Sequence, residues 1–507
     1  MMKMKTRFWI ILVMIMGVGF GCQLTSPRPA SWSGTPTARA RALTNTAIAE
    51  TQSPIPDRDL IATPTDSLTE TNPTKTPQPT EPPDGPWLVF PGQTGDGITA
   101  YDVDTNRSFN LALPAPVYWG DLQDGLSPDG KKLVLRAGLP TETDQLGLYQ
   151  IDLPSKKVTK ITPLLSLVLQ RRIVNQEGTL AFDVLEAVTM PEGIAWSPDS
   201  RYLAFSAGLD NQTADLYVFD SVNQRIIRMN GLPTHSVTPF WGFESSKLIS
   251  QELGKPSEDV GWRTENVTGV DVPEFDNQNT IYLPASQSNG EVFVGWLNAQ
   301  TFISYSLVSD GSTGLRQVNL DDSDVALIQE GSFRAVAFDP ISHTLAMILS
   351  RADGGTRGMV EGVYLLKPED AGFQLIRGGI WDQITWDPGG MFIASGPQGL
   401  YAFSSDGENM VLPDEVWADL SPMGSWMIAW GDGARLYQPP SIYPLQTLTE
   451  NQVDSIFWQP DSKGFFIQSE GSLYKLVFPG LNFQKIGDGF PEDEPLPMLW
   501  VTSDLDR

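Results

Sequence analysis

The 507-residue chain carries a net charge of −27 with a pI near 4.4, and 40% of its residues are hydrophobic, enough for a large core. An acidic surface of that strength excludes nucleic acid as a partner, because neutralising phosphates requires a basic one, and it disfavours electrostatic adhesion to anionic lipid. Two histidines, His235 and His343, and a single cysteine, Cys22, leave no expectation of a multi-histidine metal centre, a cysteine zinc site or an internal disulfide, and no cofactor is expected.

The N-terminus reads as an export signal. Lys3, Lys5 and Arg7 form a positive segment, followed by an apolar run from Phe8 to Phe20, then Gly21 and Cys22. Thirteen apolar residues suit a signal-peptide core and fall short of the ~20 that a spanning helix needs. A small residue directly before a lone Cys resembles the lipobox of bacterial lipoproteins, although Gly19 stands where Leu is usual. The resemblance implies acylation of Cys22 and a chain anchored to the cell membrane on its extracytoplasmic side. An uncleaved anchor or a plain secretory signal would place the chain outside the cytoplasm as well.

Residues 23–86 form a linker. Thr and Pro supply 25 of its 64 residues, and Trp32 is its only aromatic side chain. Such a stretch cannot bury enough apolar surface to offset its chain entropy, and it reads as a disordered tether rich in extended polyproline-type segments.

From Trp87 the texture changes to short strands and turns, and one phrase recurs. Its clearest copy is Ile194-Ala195-Trp196-Ser197-Pro198-Asp199-Ser200-Arg201-Tyr202-Leu203-Ala204-Phe205. It reads as strand, tight turn, strand, with proline fixing φ at the second corner. Further copies turn at Pro128, Pro340, Pro388, Pro422 and Pro460. A third strand with a Leu-Tyr signature follows, and its last four tyrosines, Tyr364, Tyr401, Tyr437 and Tyr474, lie 37, 36 and 37 residues apart. A fourth, more polar strand closes each unit. Apolar inner strands, a wet outer strand and a period near 40 residues predict an all-β propeller of four-stranded blades.

The Trp-Ser-Pro-Asp turn followed by an apolar strand and Leu-Tyr resembles the TolB-type, WD40-like β-propeller repeat. The resemblance spans roughly residues 87–501 and implies the fold, not the task. Eight blades are expected, with nine the alternative. Met498–Val501 is expected to pair with the strands near Trp87–Phe90 or Ile98–Val103, so that the two chain ends close the ring, and residues 502–507 form a short tail. Between about 235 and 332 the copies lack the Pro-Asp turn, which leaves blade boundaries open there. Two stretches break the period: residues 164–192, with an apolar run from Leu164 to Leu169 and a helix expected over Leu180–Met190, and residues 253–279, which read as an acidic loop.

No catalytic signature emerges. A Gly-x-Ser-x-Gly elbow is missing, and the stretch after the closing strand is too short for the hydrolase domain of a prolyl-oligopeptidase-like enzyme. Ser404-Ser405-Asp406-Gly407-Glu408 departs from the sialidase Asp-box, and Asp102-Val103-Asp104-Thr105-Asn106 lacks the Gly and Glu of a calcium loop and reads as an inter-strand turn. The expectation is a monomeric binding or scaffolding module for a protein, peptide or glycan, meeting the membrane only through its anchor. A glycosidase or lyase using channel carboxylates, or a purely structural or sensory surface protein, are the alternatives. Six residues before the turn proline stand Glu192, Arg334, Asp382 and Asp454, with Trp381 and Trp417 adjacent. These six are the candidate ligand-binding residues, expected on one rim with the tryptophans offering stacking surface.

Overall fold

A computed structural model describes residues 86–502 apart from short internal stretches such as 272–279, 283–290 and 350–358. Cys22, the signal segment and the linker lie outside the described residues. The protein is an all-β propeller with eight four-stranded antiparallel blades. A further three-stranded sheet comprises Lys132–Ala137, Gly147–Asp152 and Lys157–Pro163. Where its first strand would run, only isolated bridges form, Val117 with Ala137 and Leu126 with Leu133.

The contacts divide the chain into two compact units. The larger includes the sheets through residue 378, the strand Gln383–Trp386, and the segment from Pro497. The smaller comprises residues 387–395 and 399–496 in its described part. In the larger unit the C-terminal strand Leu499–Val501 completes the N-terminal blade. It pairs antiparallel with Trp87–Pro91, Trp87 opposite Val501 and Val89 opposite Leu499. The expected pairing of the chain ends is therefore present, with Met498 just outside the strand.

The blade of residues 194–228 shows why this sequence makes a propeller. Its inner strands Ile194–Trp196, Tyr202–Ala207 and Asp215–Asp220 are buried at every position, whereas Arg225–Arg228 is exposed or half-buried. Strands covered on both faces have no wet side, so their sequence does not alternate.

The recurring turn bonds neighbouring sheets to one another at three places. Within it, the Ser197 hydroxyl donates to Asp199 (2.5 Å) and accepts from the Tyr202 N–H (2.9 Å). The fourth turn residue has positive φ in every described copy that follows the pattern: Gly130 and Gly424 are glycine, Ser200 and Ser462 serine. Glycine relieves the strain of that conformation, but serine adds a bond. Ser200 Oγ accepts from the Asp129 N–H (2.9 Å), Ser245 Oγ from the Asp199 N–H (3.1 Å) and, in the smaller unit, Ser462 Oγ from the Met423 N–H (3.0 Å). The phrase tryptophan acts in the same direction. Trp196 Nε1 donates to Gly125 O (2.8 Å), in the segment before the three-stranded sheet, and Trp241 Nε1 to Ala195 O (2.9 Å), in the first strand of the preceding blade.

The stretch 253–279 differs from the acidic loop expected. Lys247–Ser257 and Gly261–Asp271 form a long antiparallel hairpin, with Thr280–Tyr282 pairing beyond it. Thr264, Val267, Thr268 and Val270 supply β-branched side chains that favour a strand despite the surrounding acidity. The four-strand pattern continues from Glu291 to Gly331.

Candidate functional site

A blade built on the recurring phrase has a turn end, where the Pro turn joins its first two strands, and an entry end, where the chain enters the first strand. In the larger unit the entry end carries an addition that no blade requires. Residues 164–192 fold into α1 (Leu167–Asn175) and α2 (Leu180–Thr189). Ser166 caps α1 by accepting from the Leu169 N–H (3.2 Å), and Gln176 ends it in the left-handed conformation. Leu169 and Ile173 of α1, with Ala181, Val184, Leu185 and Val188 of α2, join the same core as Ile194, Trp196 and Phe205. The apolar run Leu164–Leu169 thus divides between a buried approach and the first turn of α1.

The insertion is fixed to the loop between the second and third strands of the 194–228 blade. Leu165 bridges Gly208 in parallel, with Ser166 N–H donating to Gly208 O (2.9 Å) and Gly208 N–H to Leu164 O (2.8 Å). A Cβ at Gly208 would stand 2.4 Å from Val184 Cγ1, so only glycine permits this approach. A second clamp is Arg136. Fully buried, it pairs with Asp121 through Nη2 (2.6 Å) and Nε (2.7 Å) and donates to Val188 O and Met190 O, the carbonyls that end α2. A cation there satisfies carbonyls that the helix leaves unpaired and complements its dipole. Tyr118, whose ring faces the Arg136 guanidinium at 5.7 Å, has its phenol pushed up to about 12 by burial, against the lowering effect of the Arg136 charge.

The docking loop is itself held by charge. Asp210 accepts from the Gln212 and Thr213 N–H groups (3.0 and 3.3 Å), and Arg228 bridges Asp210 and Asp215 at 2.7 Å each. Thr213 Oγ1 donates to Asp215 (3.1 Å). Burial, reinforced by the nearby Asp210 charge, pushes the Asp215 carboxyl up to about 7. The Tyr217 phenol rises to about 12, first from burial and then from Asp215. On the next blade His235 Nδ1 accepts from the Ala214 N–H (3.1 Å), and buried Glu252 accepts from the hydroxyls of Thr234, Ser236 and Ser250 at 2.8–2.9 Å. Three hydroxyl donors offset the cost of burying this carboxyl group.

The residues expected to bind are placed as follows. Arg334 and Asp382 meet across consecutive blades of the larger unit: Nη1 lies 2.5 Å from Asp382 Oδ1 and 3.3 Å from Trp381 O, and both side chains are nearly half-exposed. Glu192 precedes the strand Ile194–Trp196 with a φ of 58°, half-buried after α2. Asp454, in the smaller unit, precedes the strand Ser455–Trp458, and its N–H donates to Gln468 O (3.0 Å). Each therefore stands where its blade's first strand begins. The tryptophans correct the expectation. Trp381 and Trp417 are buried, Trp417 packing with Ile428, Trp430 and Leu436, so neither offers a stacking face. A large ring beside a first strand packs between blades because the apolar surface there demands it.

Sequence reasoning missed the Arg136 clamp and the Asp210–Arg228–Asp215 cluster. The available signal was a charge inside an apolar strand: Arg136 in Lys132–Ala137, and Asp215 directly before Leu216-Tyr217.

No protein-family model matches the chain, and no curated protein matches it in sequence. Solved structures do match. The eukaryotic initiation factor is similar over 82% of this chain and 98% of its own, at 11% identity and a TM-score of 0.52. Dipeptidyl peptidase 4 of Porphyromonas gingivalis shares 13% identity over 79% of this chain, with a TM-score of 0.49, and this chain spans 64% of its length. TolB from Acinetobacter baumannii shares 14% identity over 64% of this chain and 78% of its own, with a TM-score of 0.29. At these identities the likeness is one of fold alone.

Proposed function

We propose that the chain is an extracytoplasmic binding module, anchored through an acylated Cys22 and held off the membrane by its Thr/Pro-rich linker. Its partner is a protein, peptide or glycan met on the entry end of the larger unit. One observation carries this reading: the α1–α2 insertion. It interrupts a regular repeat and is clamped by Arg136 and Gly208, yet Leu167, Val168 and Val174 of α1 remain in water beside Arg171. Additions to a repeat fold gather on the face that the protein uses, and a fixed apolar patch with a basic neighbour suits recognition. Glu192 and the Arg334–Asp382 pair supply further polar contacts on entry ends of the same unit.

The test is recovery of the full-length protein from native membranes after mild cross-linking, beside a variant carrying Leu167→Asp and Val174→Asp. The reading expects a co-purifying species that the variant loses. Equal recovery with both chains contradicts it.

A further inference from the structure

The turn end of the smaller unit has a different chemistry from the rest of this acidic chain. Four connections lie there on two consecutive blades: residues 459–463, which carry the exposed Asp461–Lys463 ion pair, and three others, residues 421–426 (Ser-Pro-Met-Gly-Ser-Trp), 438–445 (Gln-Pro-Pro-Ser-Ile-Tyr-Pro-Leu) and 478–483 (Phe-Pro-Gly-Leu-Asn-Phe). None of these last three contains a charged residue, in a protein of net charge −27. The corresponding turns of the larger unit, Ser127 to Lys132 and Ser197 to Tyr202, contain Asp129 with Lys131 and Lys132, and Asp199 with Arg201. The two blades are joined at this end. Met423 N–H donates to Ser462 Oγ, and the Trp426 ring stacks on Phe478 at 4.9 Å.

These connections hold large apolar side chains far into solvent. Met423 is 72% exposed, Tyr443 77% and Leu445 62%, with Ile442 and Phe483 close behind. A groove shaped for a rigid partner half-buries its own lining; exposures this high belong to projecting tips. The backbone adds a second observation. Pro422, Pro439, Pro440, Pro444 and Pro479 have no N–H at all. In the turn, the N–H groups of Met423, Gly424 and Trp426 already donate, to Ser462 Oγ, Ser421 O and Ser421 Oγ at 2.7–3.0 Å. In the long loop those of Ser441, Tyr443 and Leu445 donate to Gln438 O, Ser441 Oγ and Leu436 O at 2.7–3.2 Å. The charged turns of the larger unit satisfy their donors in the same way, so these bonds belong to the turn; they also spare a bilayer the several kcal/mol that each unsatisfied donor carried into it would cost.

We propose that this end of the smaller unit is a membrane-contact surface, whose tips Met423, Ile442, Tyr443 and Leu445 enter the interfacial layer of a lipid bilayer. The three uncharged connections lower the cost of burying ions, and in the fourth the Asp461–Lys463 pair adds no net charge to repel an anionic surface. Tyr443 suits the interface, where its ring can be buried while its hydroxyl stays wet. The inference is independent of the binding face proposed on the larger unit.

The chain's single cysteine makes a direct test available. In full-length protein carrying Cys22→Ser, a polarity-sensitive fluorophore is attached to Tyr443→Cys or, as a control, to Val222→Cys, an exposed turn-end position of the larger unit. Both proteins are titrated with phosphatidylcholine vesicles. Any attachment through the apolar N-terminal run is common to both, so only local contact separates them. The expected result is a blue shift at position 443 and none at 222, lost when Ile442→Asp and Leu445→Asp are added to a chain whose melting temperature is unchanged. No shift at 443, equal shifts at both positions, a shift that survives the two aspartates, or a shift that appears without vesicles and grows with protein concentration would each overturn the proposal, the last by placing a second copy on the patch.

Discussion

Charge in a dry interior decides matters at the scale of single residues. Arg136 and Asp121 are fully buried and paired, and Arg136 also holds the end of α2. Removing one partner strands the other, so Arg136→Ala should cost about 3–5 kcal/mol in a denaturant melt. A loss below about 1 kcal/mol would show that the clamp is dispensable. Asp215 makes a prediction about pH. Its carboxyl rises from the ordinary 3.8 of an unfolded chain to about 7 in the fold, so between those values the folded state binds more protons. This group's contribution to stability is complete below about pH 4 and is lost as the pH climbs through 7. Thermal melts from pH 4 to 8 should show the Asp215→Asn chain gaining on the wild type across that window, with parallel curves as the contrary result. Neither role was legible in sequence. A lone Arg or Asp in an apolar strand announces a buried charge, but its partner, 15 residues away for Arg136, is set by the fold alone.

Among elements, the blades were the most legible part, for a physical reason. Most repeat one turn, and neighbouring turns are bonded to each other through Ser200, Ser245 and Ser462. The repetition visible in the chain is the repetition of an inter-blade contact. Where the turn chemistry lapses, reading fails: the hairpin at Lys247–Asp271 was taken for an acidic loop because its charges mask its β-branched residues. The rim tryptophans misled differently, since position relative to the turn proline fixes the end of the blade but not the direction of a ring. Two predictions belong here. Deleting residues 498–507 removes the strand that completes the N-terminal blade, and with it the buried side chains of Met498, Leu499 and Val501. At about 1.5–3 kcal/mol for each side chain, the melting temperature should fall sharply, and an unchanged value would rule out the pairing. Gly208→Val drives a side chain into Val184; it should expose α1 and α2 to proteolysis while the blades stay folded. Protease resistance equal to that of the wild type would mean that the insertion is held elsewhere.

For the molecule as a whole, three levels of composition divide the labour proposed here. An apolar N-terminus ends in the only cysteine, a Thr/Pro-rich stretch follows, and an acidic propeller remains. Cys22→Ser should move the protein from the membrane to the soluble fraction of the cell envelope; full retention would assign the anchoring to the apolar run itself. The acidic balance keeps the propeller soluble and confines adhesion to the few places where charge is absent or paired. On the entry end of the larger unit α1 instead offers apolar side chains beside the basic Arg171, and its proposed binding of a partner can be read residue by residue. A photo-cross-linking side chain is placed at Val168 of the full-length protein in intact cells, and another at Ile341, exposed on a turn end of the same unit. On irradiation the account predicts one discrete adduct from position 168 and none from 341. The absence of an adduct at 168, or the same adducts from both positions, would contradict it.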